Sequence, residues 1–157
     1  MTLVSRLLTL VDRVVHTARD VAVGRDLKRR CDVPCGVYDP EQARIEAESC
    51  LKIIEKYHDS DDEIFRARAV GIKEARADVA KHHLYVLWSD YFKPPHVEQY
   101  PDLHDVLWQA TKQCSAVKHS MDADAARKLL ELIDKVDEMF KSTGGLDANR
   151  VNGRPGN

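Results

Sequence analysis

Residues 123–142 read ADAARKLLELIDKVDEMFKS, and their apolar spacing decides the fold. Leu129, Leu130, Leu132, Ile133, Val136, Met139 and Phe140 recur at the intervals of one helical face. Charged residues fill the other side, so the segment predicts an amphipathic helix laid on a core. The pattern repeats upstream. Residues 101–119 set Leu103, Val106, Leu107, Ala110, Cys114 and Val117 on one side. Residues 62–90 contribute Phe65, Val70, Ile72, Val79, Leu84, Leu87 and Trp88, and Phe92-Lys93-Pro94-Pro95 stops them. Residues 40–57 carry Ala43, Ala47, Cys50, Leu51, Ile54 and Tyr57. Asp39-Pro40 suits a helix start. The acidic run Asp59-Ser60-Asp61-Asp62-Glu63 suits a cap and first turn, where carboxylates complement the helix dipole. Four such helices with short or moderate connections predict an all-α protein, an antiparallel four-helix bundle.

Composition narrows the function. With 43% apolar residues the 157-residue chain can bury one core, and seven Gly and six Pro favour long regular elements. A formal charge of −2, with no stripe of aromatic and basic residues, excludes a general affinity for nucleic acid. No apolar run reaches the length of a membrane span. The four cysteines are Cys31, Cys35, Cys50 and Cys114. Without a secretory signal they read as reduced thiols of a cytoplasmic protein.

The first thirty residues differ from the rest. They hold Arg6, Arg13, Arg19, Arg25, Lys28, Arg29 and Arg30 against Asp12, Asp20 and Asp26. Leu3, Leu7, Leu8, Val11, Val14, Val15, Ala18 and Ala22 share a helical face. Two readings stand: an amphipathic helix that covers the protein or a partner, and a leader that is removed. The charges at Arg6, Asp12 and Arg13 argue against a membrane contact by residues 3–22, and the aspartates against an organelle-targeting peptide. The chain is thus expected to divide into an amphipathic, propeptide-like leader (1–30), a loop and bundle (31–142) and a tail (143–157). The tail ends in GGLDANRVNGRPGN, has no apolar period and is expected to be disordered.

The loop RRCDVPCGVYDP, residues 29–40, holds two thiols four apart around Pro34. Thiolates are soft donors for transition metals, and a curled loop would aim both at one point. By spacing alone a metal site, a loop disulfide and two idle thiols all remain open. The wider sequence adds a resemblance. CDVPCGVYDPEQARIEAES (31–49) resembles the metal hook and first helix of the nickel-containing superoxide dismutases. KEARADVAKHHLYVLWSDYFKPPHVEQYPDLH (73–104) is similar to that family's second helix and the turn beyond.

The resemblance implies an antioxidant oxidoreductase, a homohexamer, and a maturation protease that removes a leader. Superoxide is the implied substrate, dismuted to dioxygen and hydrogen peroxide by nickel alternating between Ni(2+) and Ni(3+). It implies Cys31 and Cys35 as thiolate ligands, the Cys31 amide nitrogen as a third donor and a new terminal amine as the fourth. Tyr38 and Tyr91 would flank the site, Asp32 would fix the hook, and Lys93 would attract the superoxide anion. Glu46 and Arg76 would orient an axial histidine at the terminus.

Position 30, where that histidine stands in the family, is arginine here. A guanidinium donates hydrogen bonds but does not ligate. Cleavage before Arg30 would leave its terminal amine, the Cys31 amide and two thiolates, a square plane without the axial imidazole. Cleavage after it would give a different chelate at Cys31, and no cleavage would leave no amine. Two functions follow: a nickel superoxide dismutase impaired by the missing histidine, or a non-catalytic homologue that uses the thiols for metal binding or redox.

Overall fold

A computed structural model describes residues 38–145. The expected leader, the hook with Arg30, Cys31, Asp32 and Cys35, and the tail from 146 onward lie outside the described residues.

Local chemistry starts each helix. Helix α1 spans Glu41–His58. The Asp39 carboxylate accepts from the Glu41 backbone N–H at 2.9 Å, so the Asp-Pro pair begins a helix as expected. Helix α2 spans Glu63–Val86, and Asp62 caps it by accepting from the Ile64 and Phe65 N–H groups at 2.9 and 3.2 Å. The acidic run is therefore a cap. One π-helical turn, Leu87–Tyr91, prolongs α2 and closes with the Phe92 N–H bonded to the Leu87 carbonyl at 3.0 Å. The Pro94-Pro95 pair ends that run and also opens the short α3, Pro94–Gln99, as proline at a first helical turn can. Helix α4 spans Leu103–His119 and α5 spans Ala123–Ser142, the latter capped by Asp122.

Helix α1 packs on α2 and α5, and α4 packs on α2 and α5. The four long helices thus form a ring in the order α1, α2, α4, α5, the expected antiparallel bundle. Its core is one cluster that includes Ala47, Ile54, Leu84, Leu107, Leu129, Ile133 and Phe140. The predicted stripes of α4 and α5 are buried, apart from half-buried Leu130. Leu51 and Tyr57 of α1 are half-buried.

Helix α2 departs from its expected stripe. Phe65, Val70 and Val79 are half-buried and Ile72 is 45% exposed. The inward positions are Ala69, Lys73, Ala77, Ala80 and Leu84. Small side chains there let α2 lie close to its neighbours, so its larger apolar residues sit at the flanks.

Lys73 is 1% exposed, and its Nζ donates to the carbonyls of Val117, Lys118 and Ser120 at 2.8, 2.6 and 2.8 Å. These belong to the C-terminal end of α4, where unpaired carbonyls and the negative end of the helix dipole converge. Burial lowers the ammonium's pKa from its ordinary value, and the Glu74 charge opposes that. Three acceptors satisfy the ammonium's three donors.

Helix α5 ends at Ser142, and the residues that cap it lie in what the sequence assigned to the tail. Thr143 donates its N–H to the Met139 carbonyl at 3.1 Å, and Gly144 follows at φ +83°. That left-handed glycine closes the helix in the usual way. No helix among the described residues is long and apolar enough to cross a membrane.

Candidate active site

Of the residues expected to serve the site, Tyr38, Glu46, Arg76, Tyr91 and Lys93 are described. The structure brings four of them together as two pairs. Tyr38 lies just before α1 and is half-buried. Its ring tilts at 60° to that of Tyr91, with centroids 5.7 Å apart. Tyr91 ends the π turn and is 8% exposed. Its ring packs on Phe140 at 4.5 Å, Phe92 at 5.0 Å and His96 at 5.6 Å. Such tilted contacts place ring edges against ring faces and fix the phenol's direction. Its hydroxyl lies 2.9 Å from Thr143 Oγ1.

The second pair joins α1 to α2. Arg76 Nη1 donates to both Glu46 carboxylate oxygens at 3.1 Å. The Glu46 side chain is 14% exposed, whereas that of Arg76 is half open to solvent. Lys93 is exposed just beyond the π turn, and its backbone N–H donates to His96 Nδ1 at 3.3 Å.

Three further residues border these pairs: His83 and His96, which the sequence places in the matched helix and turn with a structural reading, and Thr143, which it does not single out. His83 is half-buried on α2 and follows Arg76 by two helical turns, so it shares that face. Helical spacing from Arg76 could have found it. Thr143 touches Tyr91 across a long sequence gap and no local pattern signals it, whereas His96 follows closely after Tyr91 and packs on its ring.

Burial, reinforced by neighbouring His82, holds the His83 imidazole below its ordinary pKa of 6.5, while the Glu46 charge opposes the shift. The unfolded chain therefore binds a proton that the folded chain resists. The stability from neutral His83 is complete above the unfolded pKa and is lost as pH falls toward the folded one. Between about pH 7.5 and pH 5.5, wild type should lose more of its melting temperature than His83→Gln does. Thermal denaturation of both proteins across that range checks this, and equal losses would contradict it.

The remaining thiols are not donors. Burial pushes Cys50 and Cys114 up to about 12, so both stay protonated at neutral pH. Cys50 instead donates to the Lys73 carbonyl at 3.5 Å. Among the described residues no group of three or more His, Cys, Asp or Glu side chains could hold a metal.

Fold and site together define a four-helix-bundle protein in which α1 begins beside a tyrosine pair and carries a guanidinium–carboxylate pair further along. Residues 26–144 match the family of nickel-containing superoxide dismutases, and the chain belongs to that family. It is 57% identical over 113 residues to a protein named superoxide dismutase [Ni] from Streptomyces seoulensis, covering 72% of this chain and 86% of that one. A protein of the same name from Streptomyces coelicolor is 54% identical over the same length and coverage. Among solved structures, a native nickel superoxide dismutase at 1.30 Å superposes with a TM-score of 0.72 and 52% identity, covering 74% of this chain and 99% of that one. A nickel-containing superoxide dismutase with ligation corresponding to the oxidized state gives 0.71 and 55%, with the same coverage.

Proposed function

We propose that this chain is a nickel-dependent superoxide dismutase, converting two superoxide ions and two protons to dioxygen and hydrogen peroxide. One observation carries the reading: the family match spans the hook sequence CDVPC, residues 31–35, as well as the bundle. Cys31 and Cys35 would hold the metal as thiolates. Their soft donor chemistry fits nickel, and the two core thiols are too strongly held in the protonated form to compete. Bound nickel supplies one-electron redox chemistry between its divalent and trivalent states.

The chain's own residues supply the rest. Tyr38 and Tyr91 narrow the approach to the hook with two crossed rings. Lys93 gives an exposed positive charge that draws the superoxide anion inward. Asp32 helps fix the hook. A maturation protease cutting before Arg30 would provide the amine donor. Glu46, its oxygens both engaged by Arg76, then lacks the imidazole it orients elsewhere in the family. The assembled enzyme is a cytoplasmic homohexamer.

Nickel-exposed protein beginning at Arg30 should speed superoxide decay in stopped flow, and Arg30→His should raise turnover further by supplying an imidazole that could ligate the metal. Absence of catalysis in both proteins would overturn the proposal. Arg30 also favours the second reading, a non-catalytic homologue with a metal-binding or redox dithiol. A Cys31–Cys35 disulfide in uncut native protein would select it.

A further inference from the structure

The Tyr91 hydroxyl touches polar atoms only at the end of α5 among its recorded contacts: Thr143 Oγ1 at 2.9 Å, and the Phe140 and Thr143 carbonyls at 3.4 Å. Thr143 Oγ1 also lies 2.9 and 3.0 Å from the carbonyls of Met139 and Phe140. Each hydroxyl has one proton, and carbonyls only accept. The best arrangement sends the Thr143 proton to a carbonyl of its own helix and the Tyr91 proton to Thr143. In the reverse arrangement Thr143 donates to Tyr91, whose proton then has only the two α5 carbonyls. Both arrangements aim the phenol proton at α5.

Packing fixes this choice. Tyr91 is almost fully buried against Phe140, Phe92 and His96, so its ring cannot turn the hydroxyl elsewhere without breaking those contacts. The nearby Tyr100 hydroxyl donates to Ser142 Oγ at 2.5 Å, a second tie between the segment after α2 and the same turn. The last carbonyls of a helix lack intrahelical partners, so they are natural acceptors for the Ser142 and Thr143 hydroxyls, on which the two tyrosines rest.

We infer that Thr143 is a positioning residue for Tyr91: it holds the phenol proton on the bundle side, so Tyr91 meets superoxide as a ring and an acceptor oxygen and not as a proton donor. This rests on the dismutase reading for the substrate, whereas the hydrogen bond stands without it. The two protons consumed per cycle then come from another source, such as solvent. Thr143 acts through Tyr91 alone, so its effect vanishes when the Tyr91 hydroxyl is removed.

The test uses the full-length chain with isotope-labelled tyrosine, and Thr143→Val, Thr143→Ser and Tyr91→Phe variants. Infrared difference spectra against Tyr91→Phe isolate the Tyr91 C–O stretch without any need for nickel. The wild-type band should report a donating phenol. It should shift toward a weaker donor in Thr143→Val and return in Thr143→Ser. In nickel-loaded protein cut before Arg30, Tyr91→Phe should leave the pH profile of kcat unchanged, because the phenol proton is not passed to superoxide. Adding Thr143→Val to Tyr91→Phe should change nothing further. An unshifted band in Thr143→Val overturns the inference, as does a Tyr91→Phe protein whose kcat falls with an altered pH profile. A band that shifts as expected while protein cut before Arg30 and loaded with nickel never dismutes superoxide upholds the hydrogen bond and overturns the dismutase reading, and with it the role of Tyr91.

Discussion

Cys35→Ser is expected to give a bundle that melts within about 1 kcal/mol of its parent, retains no nickel and leaves superoxide to its uncatalysed decay. A serine hydroxyl is a hard, neutral donor, whereas the thiolate is soft and anionic. Losing one sulfur removes half of the thiolate pair on which the proposed site depends. The core supplies the contrast in stability. The described members of the core run from Ala43 to Phe140, and the substitution changes none of them. Metal analysis after desalting, circular dichroism and stopped-flow superoxide decay read the three parts separately. A serine variant that kept nickel and full activity would show that the hook thiols are not the ligands.

Lys73→Met should be as damaging as truncating a large apolar residue of the described core. The methionine matches the lysine stem but supplies no donor, and the carbonyls of Val117, Lys118 and Ser120 lose a common partner. Charge-assisted hydrogen bonds of this kind, removed from one side only, cost about 3 kcal/mol in total. For a domain of this size that lowers the melting temperature by about 10 °C. Lys73→Arg should also destabilise, because a planar guanidinium cannot match three acceptors gathered around one point. Thermal melts of both variants check this. A Lys73→Met protein as stable as wild type would mean that water replaces the ammonium at no cost.

Helices α4 and α5 were legible because their large apolar residues are the buried ones. Leu103, Leu107, Leu129 and Ile133 recur at helical spacing and are 0% exposed. Helix α2 was legible as a helix but not in its orientation. Apart from Leu84, which the expected stripe included, its inward face is made of alanines and a lysine, and hydropathy ranks Ile72 above both. Lys73 has no signature in sequence, since the carbonyls that hold it lie more than forty residues away. The π turn was hidden for a similar reason: LWSDY has nothing that demands an i to i+5 bond. The site divides along the same line. The hook and the roles of Tyr38, Glu46, Arg76, Tyr91 and Lys93 came from a family resemblance carried by contiguous residues. The contacts of Tyr91 with Phe140 and Thr143 join segments about fifty residues apart, and only packing reveals them.

Arg30 stands where the family resemblance leads one to expect a histidine, and it makes maturation the decisive question. Native mass spectrometry of the protein isolated from its host reads chain terminus and metal load in one spectrum. The account predicts a chain that begins at Arg30 and carries one nickel. A full-length chain without nickel would contradict it and mean that the bundle serves something other than superoxide chemistry.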